Sequence, residues 1–281
     1  MNINKSPVIE ASALLQLLNT ENLVLIDAGN KTNYLQKHLS GSLFVDLNTD
    51  LADIKEDLSI GGRHPLPKIE NFSKTLSSLG ITAKSHVVVY DDKAGANAAS
   101  RFWWMLKSIG HEKVQVLNGG IQAAEAMGFP MSSNEEIAAK TDLCKFDHWK
   151  WQIAEIDEVE TASADANKIV IDVRDAARYN GEVEPIDLIA GHIPGAINVP
   201  FTTNLDKNGL FLSPTELKLK YEKILGQKKS EDIIVHCGSG VTACHTLLAL
   251  AYAGLGIPKL YVGSWSEWSR NNKAIATKTV K

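Results

Sequence analysis

The sequence predicts an α/β protein built twice over, each half a mainly parallel sheet with helices on both faces. Three observations predict it: short β-branched runs without polar alternation, helical stretches between them, and a self-similar pattern that repeats along the chain. The runs "LVLID" from Leu23, "HVVVY" from His86 and "VQVL" from Val114 have the composition of strands buried on both faces. Helical stretches separate them, such as Pro67–Leu79, which Gly80 ends. In the second half, "SPTE" at Ser213–Glu216 is a capping box with proline at the first helical position. Strands alternating with helices in this way favour a parallel sheet.

The repeat is legible residue by residue. "LVLIDAGNKTNYLQKHLSGSLFVDL" begins at Leu23 and "KIVIDVRDAARYNGEVEPIDLIAGHIPGAINVPF" at Lys168. Each has a β-rich run ending in aspartate (Asp27, Asp172) and a tyrosine seven residues later (Tyr34, Tyr179). A His-x-x-Gly follows in each, at His38 and Gly41 and at His192 and Gly195, with nine extra residues before it in the second copy. Further on, "HVVVYDDKAGANAASRFWWML" matches "DIIVHCGSGVTACHTLLAL", which aligns Asp91 with Cys237. The unit of about 130 residues is a common domain size. We expect domains at 1–135 and 151–281, a linker at 136–150, and a cleft between two similar domains.

The bulk composition narrows the function classes. Of 281 residues, 44% are hydrophobic and 22% charged, with a net charge of -4 and no lysine-arginine block, so a nucleic-acid partner is not expected. No apolar run reaches membrane-span length, and the N-terminus has neither a signal-peptide pattern nor the arginine bias of a transit peptide. The three cysteines, Cys144, Cys237 and Cys244, suit reduced thiols in a cytoplasmic protein. The pairs His236–Cys237 and Cys244–His245 match no zinc spacing, and neither metal nor organic cofactor is expected.

"IIVHCGSGVTACHTLLAL", Ile233–Leu250, carries the sharpest signal. A strand ends at His236, Cys237 follows, and a helix begins near Val241 or Thr242. Gly238 and Gly240 are expected to let the backbone curl with positive φ, while Ser239 and Thr242 add hydroxyls. Successive N–H groups beside a helix N-terminus then face the sulfur and stabilise an anion there. A small buried cysteine is the bland alternative. A phosphatase-type thiolate needs an arginine six residues on, but position 243 is alanine. Cys244 is read as an ordinary helix residue turned from the site, and Trp103 and Trp104 as packing between domains.

With "CGSGVTA", "GHIPGAINVPF" at Gly191–Phe201, "RFWWML" at Arg101–Leu106 and "GSWSEW" at Gly263–Trp268, the chain resembles the two-domain rhodanese-type sulfurtransferases over nearly its whole length. The uncharged cysteine loop is similar to that of the 3-mercaptopyruvate branch. The resemblance implies a nucleophilic Cys237 in the second domain and a first domain that has lost its cysteine. It implies substrate binding by Arg178 in "DAARY" and by the loop residues Gly238, Gly240, Val241 and Thr242. A second substrate arginine of that branch would fall near Ile186, so the donor is expected to be held more loosely unless Arg63, Arg101 or a lysine substitutes. It also implies a relay through Ser239 and a first-domain His64, whose acid position falls on Asn48; Asp46, two residues away, would share a strand face with it. Asp172 and Arg174 in "IDVRD" are expected to brace the loops by an ion pair.

The implied reaction moves a sulfur atom from 3-mercaptopyruvate through a Cys237 persulfide to a thiol such as thioredoxin, or to cyanide. Thiosulfate:cyanide transfer and a non-enzymatic persulfide-sensing module are the alternatives. Neither nucleic acid nor membrane is an expected partner.

Overall fold

The computed structural model describes residues 6–18, 20–143 and 145–278, so Cys144 lies outside the described residues. The chain forms two compact units.

The first unit runs through β1 (Val8–Ile9), α1 (Ala11–Leu17), β2 (Leu23–Asp27), α2 (Lys31–Gln36), β3 (His38–Leu39), β4 (Ser42–Phe44), α3 (Ile69–Ser78), β5 (His86–Tyr90), α4 (Ala99–Ser108), β6 (Val114–Leu117), α5 (Gly120–Ala126) and β7 (Met131–Ser132). Five strands pair in parallel in the order β1-β6-β5-β2-β4, and β3 pairs antiparallel with β7. Val87, Val88 and Val89 are wholly buried, as the unalternating run requires. In α3, Ile69, Phe72 and Leu76 fall on one helical face and are buried, and Gly80 stops the helix at φ +66. Every residue of "RFWWML" in α4 is buried. Trp103 and Trp104 pack against Trp149 and Trp151 of the same unit. Among the described residues of 136–150 none is in a helix or strand; the Thr141 N–H donates to the Ser77 carbonyl and the Lys150 N–H to that of Ser108.

The second unit contains α6 (Ile156–Ala164), β8 (Ile169–Asp172), α7 (Ala176–Asn180), β9 (Ile197–Asn198), α8 (Pro214–Leu225), β10 (Ile233–His236), α9 (Thr242–Tyr252), β11 (Lys259–Leu260) and α10 (Ser264–Trp268). Its four strands are parallel in the order β11-β10-β8-β9. The predicted box caps α8: Ser213 Oγ accepts the Glu216 N–H, and the Glu216 carboxylate accepts the Ser213 N–H.

Two short exchanges depart from sequence order. Ile54–Leu66 packs with the second unit, and Lys207–Phe211 with the first. The Gly61 N–H donates to Glu267 and the Asn271 amide to the Ser59 carbonyl, at 2.8 Å each. Gly62, at φ +73, lies so close to Gly263 that a Cβ there would meet its carbonyl oxygen at 2.4 Å.

The duplication is visible in geometry. Tyr34 stacks on His38 at 3.9 Å, and Tyr179 stacks on His192 at 3.7 Å. In both pairs the histidine Nδ1 bonds the carbonyl of its tyrosine. Asp27 pairs with Tyr90 across the sheet as Asp172 pairs with His236. The residues after these partners, Asp91 and Cys237, are therefore equivalent.

Candidate active site

β10 is wholly buried and delivers Cys237 at its C-terminal end, 1% exposed. α10 fixes the loop behind it. The Cys237 N–H donates to Ser264 Oγ, the Trp265 N–H to the Cys237 carbonyl, and the Ser266 N–H to the Gly238 carbonyl. The two glycines differ from expectation. Only Gly240 has positive φ, at +74, and a Cβ there would meet the Val262 carbonyl at 2.6 Å. Gly238 serves space instead: its Cβ would lie 3.0 Å from Arg63 Nη2 and 3.5 Å from Arg178 Nη2. Val241 is buried at the N-cap of α9 and Thr242, half-buried, is the first residue of the helix. The N-terminal end of α9, which carries the partial positive charge of a helix start, lies beside the strand end, and its third residue, Cys244, donates its N–H to the Val241 carbonyl at 3.1 Å.

The first unit displays what this position can hold. Asp91, the counterpart of Cys237, is fully buried, and its carboxylate accepts four backbone N–H groups, from Lys93, Gly95, Asn97 and Ala99, at 2.8–3.2 Å. Burial raises its carboxyl above the ordinary range, and the four donors oppose that rise. The strand-end loop is an anion cradle in the half that lacks the cysteine.

Side chains of the second unit gather over Cys237. Ser239 is buried, and its Oγ shares a 2.8 Å hydrogen bond with His64 Nδ1. His64, expected from the first domain, sits on the segment that packs with the second unit. Arg178 projects from α7 and is held by Glu184, with Nη2 to Oε1 at 2.6 Å, and by Asp187 at 3.1 Å. Burial works against the Arg178 charge, and Glu184, Asp187 and the Cys237 sulfur more than offset it, so its pKa lies above the ordinary value. Asp187 also accepts from Arg63 Nε at 2.9 Å and faces Arg270 Nη1 at 3.5 Å. Burial opposes the charge of Glu184 too, yet Arg178 and the N–H groups of Asp187 and Ile186 hold its carboxyl below the ordinary range. Ile186, at the position of the missing second arginine, is 52% exposed.

Glu184, Asp187 and Arg270 escaped sequence reasoning. The available signal was the insertion: the nine extra residues between Tyr179 and His192 occur only in the half with the cysteine, and both carboxylates lie in them.

The other expected residues divide. Arg174 braces Asp172, with Nη2 to Oδ2 at 2.6 Å, and also reaches Glu184 and the Gly191 carbonyl. Burial opposes the Asp172 charge, while His236 and Arg174 hold its carboxyl below the usual range. Burial lowers the His236 imidazole in turn, against the pull of Asp172. Arg101 is buried in α4 of the first unit. Cys244 is buried in α9 and its thiol bonds the Gly240 carbonyl. The strand face expected for Asp46 and Asn48 is absent. β4 ends at Phe44, and Asp46 turns the chain by accepting the N–H groups of Asn48 and Thr49. Among the described residues, no group of histidine, cysteine, aspartate or glutamate could hold a metal ion, and no helix is long and apolar enough to cross a membrane.

Fold and site together define a tandem α/β protein with a buried cysteine on the strand-end loop of its second half. The Rhodanese-like domain family matches residues 10–127 and 155–271, and the chain belongs to that family. It is 38% identical over 241 residues to the 3-mercaptopyruvate sulfurtransferase of Escherichia coli (strain K12), covering 84% of this chain and 81% of the relative. It is 36% identical over 237 residues, 84% of this chain and 81% of the relative, to SseB of Mycobacterium tuberculosis, which is named for thiosulfate. The crystal structure of SseA from Escherichia coli, a 3-mercaptopyruvate sulfotransferase, superposes with a TM-score of 0.77 at 32% identity, covering 93% of this chain and all of that one.

Proposed function

We propose that this protein transfers sulfur from 3-mercaptopyruvate to a thiol through a persulfide on Cys237. The Cys237 thiolate attacks the donor's thiol sulfur; the S–S bond forms as the C–S bond breaks, and the electron pair of that bond leaves on the pyruvate enolate. Protonation at carbon completes pyruvate, with Ser239 and His64, 2.8 Å apart, carrying the proton. The acceptor, a dithiol protein such as thioredoxin or cyanide in an assay, then takes the outer sulfur and restores the thiolate. Both described cysteines are free thiols, which suits a reducing cytoplasm.

The observation that carries the donor assignment is the charge set beside Gly238. Arg63, Arg174, Arg178 and Arg270 face Asp172, Glu184 and Asp187, four cations against three anions, which leaves one net positive charge before the sulfur is counted. One charge suits a monocarboxylate better than the thiosulfate dianion. In this reading Arg178 binds the donor carboxylate and Arg63 supplies the second arm. Gly238, Gly240, Val241 and Thr242 form the cradle for the sulfur anion, the role that the Asp91 loop supports by analogy. Relatives named for 3-mercaptopyruvate and for thiosulfate both exist, so side-by-side kinetics with the two donors is the test. A higher kcat/KM for thiosulfate overturns the assignment.

A further inference from the structure

The first unit contains a cavity of about 330 Å³ whose lining includes Asp27, Gly29, Asn33, Asp92, Ile121 and Gln122. Its meaning follows from the repeat. Asp27 is the counterpart of Asp172, so Gly29, two residues on, is the counterpart of Arg174. The backbone agrees: the Gly29 N–H donates to Asp27 Oδ1 at 2.8 Å, and the Arg174 N–H donates to Asp172 Oδ1 at 2.9 Å. Ile121 and Trp265 are also equivalent, because their N–H groups donate to the carbonyls of Asp91 and Cys237. In the second unit this space is filled. The Arg174 guanidinium binds Asp172 through Nε and Nη2 and lies 4.6 Å from the centre of the Trp265 ring. In the first unit glycine replaces the arginine and isoleucine the tryptophan, and the space is open.

We propose that this cavity is a binding site for a small ligand bearing a guanidinium group, which would take the place that the Arg174 side chain occupies in the second unit.

Two further observations support the assignment. Asp92 Oδ1 is buried in the cavity wall without a hydrogen-bond partner, while its other oxygen accepts from the Asn33 amide at 3.0 Å. A Cβ on Gly29 would lie 2.9 Å from Asp27 Oδ1 and 3.7 Å from Asp92 Oδ1, so the two carboxylates converge where an arginine side chain would begin. The carboxyl of Asp27 is pushed up to about 6 by burial and by Asp91, against the Gly29 N–H, Tyr90 and His38, whereas Asp172 lies below its usual range. That contrast is what removing a guanidinium from such a site leaves behind. Lys37 stands at the rim, paired with Glu125 at 2.8 Å, so it does not fill the site as an internal cation.

Calorimetric titration of the full chain with methylguanidine at pH 7.5 tests the proposal, with the uncharged N-methylurea as comparator. Saturable binding of methylguanidine, at least about tenfold tighter than N-methylurea, is expected. Gly29→Arg should abolish that binding by supplying the guanidinium in cis, and Asp27→Asn should weaken it about tenfold or more. Because Gly29→Arg is a large change, its fold is checked by circular dichroism, and Asp27→Asn stands as the independent variant. The proposal is overturned if methylguanidine does not bind wild type, if N-methylurea binds equally well, or if folded Gly29→Arg or Asp27→Asn binds methylguanidine as wild type does.

Discussion

Replacing Arg178 separates two roles that its surroundings combine. As a donor clamp, it contributes a charge-assisted hydrogen bond, about 1.5–3 kcal/mol, so Arg178→Ala should lower kcat/KM for 3-mercaptopyruvate by about ten- to a hundredfold. As a counter-ion, it holds Glu184 and Asp187, whose side chains are 3% and 0% exposed. Stripping a buried pair of one partner costs about 3–5 kcal/mol when the other is left alone. Neither carboxylate is left alone here: Glu184 keeps Arg174 Nη1 at 3.2 Å, and Asp187 keeps Arg63 and Arg270. The stability loss should therefore fall below that range, and the variant should stay folded at 25 °C. Arg178→Lys keeps the charge and loses the fork, so it should raise KM more than it lowers kcat. Arg63→Ala should raise KM in the same way. Pyruvate release against donor concentration measures the kinetics, and urea unfolding measures the stability. If Arg178→Ala loses activity only in proportion to its unfolded fraction, or keeps wild-type kcat/KM, Arg178 is a structural brace and the clamp is wrong.

Three other outcomes are expected. Cys237→Ser should abolish sulfur transfer and the one-sulfur mass gain after incubation with donor, while Cys244→Ser, whose hydroxyl can still bond the Gly240 carbonyl, should retain most of both by intact-protein mass spectrometry. Gly240→Ala forces a side chain into φ +74 and against the Val262 carbonyl, so it should cost roughly 1–3 kcal/mol in urea unfolding and slow transfer more than it alters donor KM. Asp27, whose carboxyl rises from 3.8 to about 6 on folding, binds its proton more tightly in the native state, so its contribution is fully present below pH 3.8 and is lost as pH rises through 6. That loss amounts to about 2 kcal/mol between pH 4 and 8, and Asp27→Asn should remove it from the pH profile of unfolding.

Strands and helices were legible because each rests on local pattern. The valines of β5 had no polar face to show, Ser213 and Glu216 announced α8, and Gly80 marked the end of α3. The loop around Cys237 was legible as a loop, but the division of labour between its glycines was not, since Gly238 is constrained by guanidinium groups from distant segments rather than by its own φ. Periodicity also could not show that 54–66 packs with the second unit, and that placement brings Arg63 and His64 to the site. Asp187 illustrates the limit best. In sequence it is an acid beside the exposed Ile186; in the fold it is a fully buried carboxylate facing three arginines drawn from three segments.

The two halves show how little has to change for one fold position to exchange chemistry for structure. The ends of equivalent strands carry a carboxylate, Asp91, in one half and a thiol, Cys237, in the other. Asp91 consumes its cradle: four N–H groups converge on its own oxygens, and the seven residues between Asp91 and the first residue of α4 wrap it closed. Only four residues lie between Cys237 and the first residue of α9, so the second loop is three residues shorter than the first. If Cys237 carries the transferred sulfur as proposed, the shorter loop leaves its cradle for that anion, whereas Asp91 fills its own. The same reasoning covers the neighbouring space. Arg174 and Trp265 fill it in the half with the cysteine, and Arg174 helps hold the Asp172 carboxyl below its usual range. Where the cysteine is absent, Gly29 and Ile121 leave it open, and the price in ionisation falls on Asp27.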